Sequence, residues 1–338
     1  MVSEKIAYSI LELSMVSQGQ SFKEVLNNSL TLAKEAENQD YERFWFAEHH
    51  NSENVGSSAT AVLIGYIAEN TKRIRVGSGG IMLPNHAPLI IAEQFGTLAR
   101  LYPKRIDLGL GRAPGTDQET AREIRPDFMQ AAHSFPREVA KIQQYFSAEN
   151  KKAKVRVPIA EGTGIPIYIL GSSTDSAHLA AKEGLPYAFA SHFASTHLYN
   201  ALRIYKQEFR PSEFLKKPYT IAGVNVIVAD TDEEAQQLFT SLIRMFVGVL
   251  TGGKEPLLPP TQMTEEIHGM FNHPSVHQML KFSFVGSKQT VKTQIREFLN
   301  DTEANELIVV STMYGLEDRL KSTRLFGEIM KEINQGKH

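Results

Sequence analysis

The sequence predicts a (β/α)8 barrel, and three observations carry that expectation. Eight short apolar runs of buried-strand type alternate with stretches of helical periodicity. No shift in composition marks a domain boundary, and one large α/β barrel fills a length of 338 residues, so residues 1–338 are expected to form a single domain. The reactive polar residues cluster where strands end, the rim on which barrels carry their chemistry. An open doubly wound sheet with an added domain is the alternative reading of the same alternation.

Taken in order, Ile6 to Leu13 is an apolar-rich first strand. Ser21 with Glu24 forms a capping-box pattern ahead of a helix over Phe22 to Glu37. Tyr41 to Ala47 is the second strand, and Ser57-Ser58 opens a helix through about Asn70. Ile74 to Leu83 is the third strand and Ala87 to Leu101 the third helix. Ile106 to Leu110 is the fourth strand, followed by a long loop with short helical pieces (Gly111 to Pro136) and a helix over Arg137 to Phe146. Ile165 to Leu170 is strand five, with a helix over Thr174 to Glu183. Pro186 to Ala190 is strand six, followed by a helix near Thr196 to Phe209. Tyr219 to Ala229 is strand seven. Thr231 and Glu234 give a second capping-box pattern, opening a helix to about Leu250. Thr251 to Phe284, rich in Gly, Pro and His, reads as a long excursion. Ser287 caps a helix to about Leu299, Leu307 to Val310 is strand eight, and Leu316 to Ile333 is the closing helix. The two long insertions thus follow strands four and seven.

Composition excludes several functions. With 36 basic and 38 acidic residues, net charge -2, nothing marks a nucleic-acid or membrane-surface binder. There is no cysteine, which removes disulfides, thiolate catalysis and Cys-ligated metal and suits a cytoplasmic protein. Met1 to Ile10 lacks the apolar core and cleavage site of a signal peptide, and no apolar run reaches the ~18 residues of a membrane span.

Four stretches can carry chemistry. Phe44-Trp45-Phe46-Ala47 runs straight into Glu48-His49-His50-Asn51. Neighbours on an extended strand point to opposite sides, so one histidine faces the mouth and the other packs away; imidazole there can move a proton near neutral pH. Gly77-Ser78-Gly79-Gly80 at the end of strand three offers bare backbone against a flat ligand. Leu108-Gly109-Leu110-Gly111-Arg112 lacks dinucleotide-fingerprint spacing, but Arg112 emerges at a strand end and can reach an anion. Gly171-Ser172-Ser173, between strand five and a helix start, is a phosphate cradle of N–H groups, hydroxyls and helix dipole. His268, His273 and His277 read as a surface loop, with Pro274 intruding and no acidic partner, so no metal site is expected.

With these motifs in hand, the chain resembles the bacterial-luciferase-like flavin-dependent monooxygenases. The resemblance rests on Ala47 to Asn51, Gly77 to Pro88, Ala92 to Leu98, Arg105 to Asp117 and Phe284 to Ser287. It implies a TIM barrel that binds FMN, usually supplied fully reduced by a separate flavin reductase. Dioxygen then gives a flavin C4a-hydroperoxide, which oxygenates an aldehyde, ketone or related small organic substrate. By position, His49 matches the histidine near the flavin's reactive edge and is the expected catalytic residue. Gly79-Gly80 falls on a non-proline cis peptide under the isoalloxazine, and Arg112 on the phosphate-pairing arginine. Gly171, Ser172 and Ser173 match the phosphate loop, and Ser191 stands where luciferase has a flavin-contacting aromatic. Gly111 replaces a luciferase cysteine and Gly171 a glutamate, departures that argue against light emission. The resemblance also implies a homodimer through the second and third barrel helices, with Ala59, Ala61, Ile64, Gly65 and Ala68 as the small apolar face. Residues 251–284, which hold Gly252, Gly253, Pro256, Pro259 and Pro260 and lack a sustained apolar period, are expected to be a lid that is mobile without ligand. A deazaflavin-dependent oxidoreductase and a non-catalytic flavin binder are the alternatives.

Overall fold

A computed structural model describes residues 5–336. The expectation about a leader rests partly on Met1–Glu4, outside the described residues.

The elements are β1 (Ala7–Glu12), α1 (Phe22–Asn38), β2 (Arg43–Phe46), α2 (Thr60–Asn70), β3 (Arg75–Met82), α3 (Pro88–Leu101) and β4 (Ile106–Gly111). The first insertion holds α4 (Gln118–Ile124) and α5 (Phe128–His133) ahead of α6 (Phe135–Phe146). Then come β5 (Ile167–Gly171), α7 (Thr174–Glu183), β6 (Tyr187–Phe189), α8 (Leu198–Glu208) and β7 (Thr220–Ala229). The second insertion holds α9 (Asp232–Thr251), α10 (Glu265–Asn272), α11 (Pro274–Met279) and β8 (Ser283–Ser287). The chain closes with α12 (Lys288–Thr302), β9 (Glu306–Val310) and α13 (Leu316–Gln335).

β1 to β7 pair in sequence order, β7 pairs β9, and β9 returns to β1, all in parallel. This is the closed eight-stranded barrel the sequence predicts. The ninth strand was not foreseen: β8 pairs only with the outer half of β7, Asn225 to Ala229, beyond the ring. Residues expected to be bare excursion therefore fold as two helices and a strand. Their Ile267, Val276, Leu280 and Val285 pack on Leu238, Phe239, Leu242 and Phe246 of α9 in a core of their own.

Strand periodicity sorts the main cores. Phe44 and Phe46 point outward into the layer between barrel and helices, whereas Trp45 and Ala47 point inward to Leu11, Tyr168, Ile221 and Ile308. Below that inner layer the barrel is plugged by charge. Arg43 grips Glu306 with Nε and Nη2 (2.8 and 3.0 Å) and reaches Asp107 Oδ2 and the Tyr168 hydroxyl with Nη1 (2.8 Å each). Arg75 completes Asp107, Tyr219 donates to Glu306, and Ser9 also hydrogen-bonds Glu306.

Helix starts follow the sequence only in part. Ser21 and Glu24 make the full reciprocal box on α1. Thr231 caps α9, but the Glu234 carboxylate turns back to the Asp230 N–H, so that box is half made. α2 begins after Ala59 without a side-chain cap, and Ser57 is buried instead. Ile64 and Ala68 belong to the core, so the exposed apolar surface of α2 and α3 is Val62, Tyr66, Ile90 and Leu101. Among the described residues, no helix is long and apolar enough to cross a membrane.

Candidate active site

A cavity of about 590 Å³ opens at the C-terminal mouth of the barrel. That lies within the ~300–1,000 Å³ of small-molecule sites. His49, Gly79, Arg112, Gly171, Ser172 and Ser173, all singled out from the sequence, line it together.

His49 continues the inward parity of Trp45 and Ala47 and reaches the cavity wall. Burial pushes its imidazole below the ordinary 6.5, which keeps it neutral at neutral pH. His50 turns away, as expected of the second histidine, and its Nε2 lies 2.8 Å from Glu48 Oε1. Glu48 is a buried hub that also takes His86 Nε2 (2.9 Å), Asn85 Nδ2 (3.1 Å) and the Met82 N–H (3.0 Å). Burial alone would raise this carboxyl, but the hydrogen bonds from His50, His86 and Asn85 outweigh it and bring it down to about 2. The strand end of β2 is thereby locked to that of β3.

The Gly79–Gly80 peptide bond is cis. A Cβ at Gly79 would come within 2.6 Å of Leu11 Cδ1, so this wall of the mouth is bare backbone by necessity. Gly80 faces the Gly109 carbonyl of β4 rather than the cavity.

The polar end of the cavity lies where β4 and β5 finish. Ser173 is the N-cap of α7, yet no side chain caps the helix. The Ser173 carbonyl instead accepts from Ser176 Oγ (2.8 Å) and the Tyr187 hydroxyl (3.2 Å). A dipole-positive helix start with free N–H groups and unspent hydroxyls remains, which suits an anion. Gly171 is required here, because a Cβ would fall 1.8 Å from Ser176 Oγ. Arg112 stands beside the cradle, half exposed, its Nη2 3.1 Å from Asp175 Oδ2 in the first turn of α7. Arg112 also borders a second cavity of about 410 Å³ against α5, α6 and α7, and the two spaces share Arg112, Ala132, Leu170 and Ser176.

Ser191, like Gly80, is a sequence-predicted residue that does not line the cavity. It is fully buried and donates from Oγ to the Gly223 carbonyl (2.6 Å), while its neighbours Ala190, His192 and Phe193 line the cavity. The chain turns just past β6, with the Ser191 N–H bonded to the Phe189 carbonyl, and strand parity fails there. His192 and Asn225 were missed. Asn225 carried a legible signal, as the single amide in the apolar run Ile221 to Ala229. The far wall is apolar, built by Leu242, Met245 and Phe246 of α9 and Met279 of α11.

Comparison with known proteins identifies the family. The sequence profile described as luciferase-like monooxygenase matches residues 8–306. The Bacillus subtilis protein named YvbT, uncharacterized, is 46% identical over 96% of each chain. An Escherichia coli luciferase-like monooxygenase is 44% identical over 98% of this chain and 99% of its own. Apo-MsnO8 superposes with a TM-score of 0.88 at 32% identity, over 96% of this chain and 98% of that one. Two more distant structures share the fold. The oxygenating constituent of 3,6-diketocamphane monooxygenase from Pseudomonas putida, in complex with FMN, superposes at TM-score 0.72 and 16% identity, over 96% of this chain and 97% of that one. An F420-dependent secondary alcohol dehydrogenase does so at 0.69 and 14%, over 96% and 98%. With the profile spanning nearly all of the barrel and relatives matched end to end, the chain belongs to the luciferase-like monooxygenase family.

Proposed function

We propose that the chain is an FMN-dependent monooxygenase that receives reduced FMN from a separate flavin reductase in the cytoplasm and oxygenates a neutral organic substrate such as an aldehyde or ketone. The observation that carries this reading is the uncapped start of α7 with Arg112 beside it, opening directly into an apolar cavity. A flavin mononucleotide needs that combination: an anion cradle at one end and a flat, apolar, bare-backbone space at the other.

The residues fit the group. Arg112, Ser172, Ser173 and the first-turn N–H groups of α7 would hold the phosphate, and Gly79 would let the ring lie against backbone. Reduced FMN would supply two-electron activation of dioxygen. His49 would then accept or return a proton at a ring nitrogen, since burial keeps the ring neutral. The apolar wall from α9 and α11 would exclude water. We assign residues 251–284 as a lid docked on the rim, where Leu257 exchanges backbone bonds with Val16 and Gln18 and Lys254 donates to the Asn51 carbonyl. Protease cleavage there that ligand does not slow would remove that assignment. We further assign the exposed Val62, Tyr66, Ile90 and Leu101 to a two-fold dimer interface. A monomer mass by light scattering at micromolar concentration would contradict it.

The deciding experiment supplies photoreduced FMN and dioxygen with panels of aldehydes, ketones and thioethers, and reads product mass. A gain of one oxygen atom supports the proposal. Hydride transfer with reduced F420 and no oxygen uptake would favour a deazaflavin enzyme, and flavin binding without turnover a non-catalytic binder.

A further inference from the structure

The mouth holds a buried imidazole that no step above uses. His192 lies three residues past β6, and two side chains clamp its loop to β7: Ser191 Oγ donates to the Gly223 carbonyl (2.6 Å), and Asn225 Nδ2 donates to the His192 carbonyl (2.7 Å). Its ring sits over Gly223, where a Cβ would approach Nδ1 to 2.6 Å, so the glycine clears the seat. Phe193 braces the ring edge-on at 4.9 Å. Nδ1 is sealed in this seat without a hydrogen-bond partner. Among the described residues Nε2 has no partner either, and it is the remaining polar edge of a ring that lines the cavity.

The tautomer follows from that asymmetry. A buried N–H without an acceptor is rarer and costlier than a buried lone pair, so the proton belongs on Nε2. Burial, and secondarily the nearby His49 imidazole whenever both rings would carry a proton, push the His192 imidazole down to about 3, so the ring stays uncharged throughout the physiological range. A neutral donor fixed in an apolar mouth matches a neutral acceptor; an anion anchor would need charge.

We propose that His192 is a ligand-contacting specificity residue that donates from Nε2 to a carbonyl-type oxygen, on either the flavin ring or the organic substrate. The proposal rests on the flavin reading above for the first of those sources only. His192→Phe keeps an aromatic ring over Gly223 but removes the donor, and His192→Gln restores a donor. Both variants and the wild type are titrated with FMN and, separately, with decan-2-one as a neutral apolar carbonyl probe, and ¹⁵N-histidine NMR follows the ring. The expected result is an Nε2–H tautomer at neutral pH, with one ligand weakened about five- to tenfold by His192→Phe and recovered by His192→Gln. Loss confined to FMN assigns the contact to the flavin, and loss confined to decan-2-one assigns it to the substrate. An Nδ1–H tautomer, or wild-type affinity of His192→Phe for both ligands, overturns the proposal while leaving FMN binding intact. If the wild type binds decan-2-one through His192 but does not bind FMN, the flavin reading falls and this one stands.

Discussion

The two ends of the barrel hold the same kinds of residue and use them in opposite ways. At the N-terminal end Arg43, Asp107 and Glu306 are almost wholly buried, and the guanidinium is matched to both carboxylates and capped by Trp45 and Tyr168. At the C-terminal end Arg112 is half exposed with one loose partner, the α7 start has no side-chain cap, and His192 leaves both ring nitrogens without a partner among the described residues. Saturated polar groups hold a fold together; unsaturated ones, held in place by glycine seats and clamped loops, are available to a ligand. The difference locates function more sharply than residue type does, since arginine and carboxylate occur at both ends.

The contrast can be broken most forcefully at the bottom. Arg43→Met leaves Glu306 buried without its cation and Asp107 with Arg75 alone, and should cost about 3–5 kcal/mol, read as a lowered urea midpoint. At the mouth, His49→Ala should leave folding and FMN affinity nearly unchanged, within about threefold, yet cut product by roughly 10²-fold while oxygen is released as hydrogen peroxide. Wild-type product from His49→Ala, or uncoupling confined to His50→Ala, would mean the wrong histidine was chosen.

Acid should separate the two ends next. His192 has a folded value pushed down to about 3 against an ordinary 6.5, so the unfolded chain binds its proton first. Stability from this group is complete above about pH 6.5 and falls as pH drops toward 3. Glu48, brought down to about 2 from 4.5, contributes stability above about pH 4.5 that is lost as pH falls toward 2. His192→Phe should therefore flatten the stability curve between pH 6.5 and 3, a difference of about 2 kcal/mol at pH 5, and Glu48→Gln should flatten it below about pH 4.5, where the two windows overlap. Urea melts at pH 7, 5 and 4 check both. The smallest effect is at Arg112: the exposed pair with Asp175 should be worth under about 1 kcal/mol, so Arg112→Ala should melt like the wild type.

What the sequence made legible follows the same division. The eight ring strands could be read because each is a short, largely apolar run buried on both faces, and strand parity from Trp45 carried His49 to the mouth. β8 could not be read: only Phe284 and Val285 are apolar, and its partner on β7 lies some 58 residues earlier. The plug was equally hidden, since Arg43 and Glu306 are 263 residues apart and each alone resembles a polar intrusion in a strand. Position matching named Ser191, but the turn after β6 hands the cavity to His192. The Gly-Ser-Ser motif was legible as a cradle, although only the geometry showed that its hydroxyls are not used for capping.

The central claim is that the mouth is a flavin site anchored at its phosphate by Arg112 and the start of α7. Fluorescence titration of wild type and Arg112→Ala with FMN and with riboflavin tests it most directly. Arg112→Ala should weaken FMN binding by roughly ten- to a hundredfold and leave riboflavin almost unaffected, because only FMN carries the phosphate. Equal loss for both flavins, or no loss for either, would contradict it.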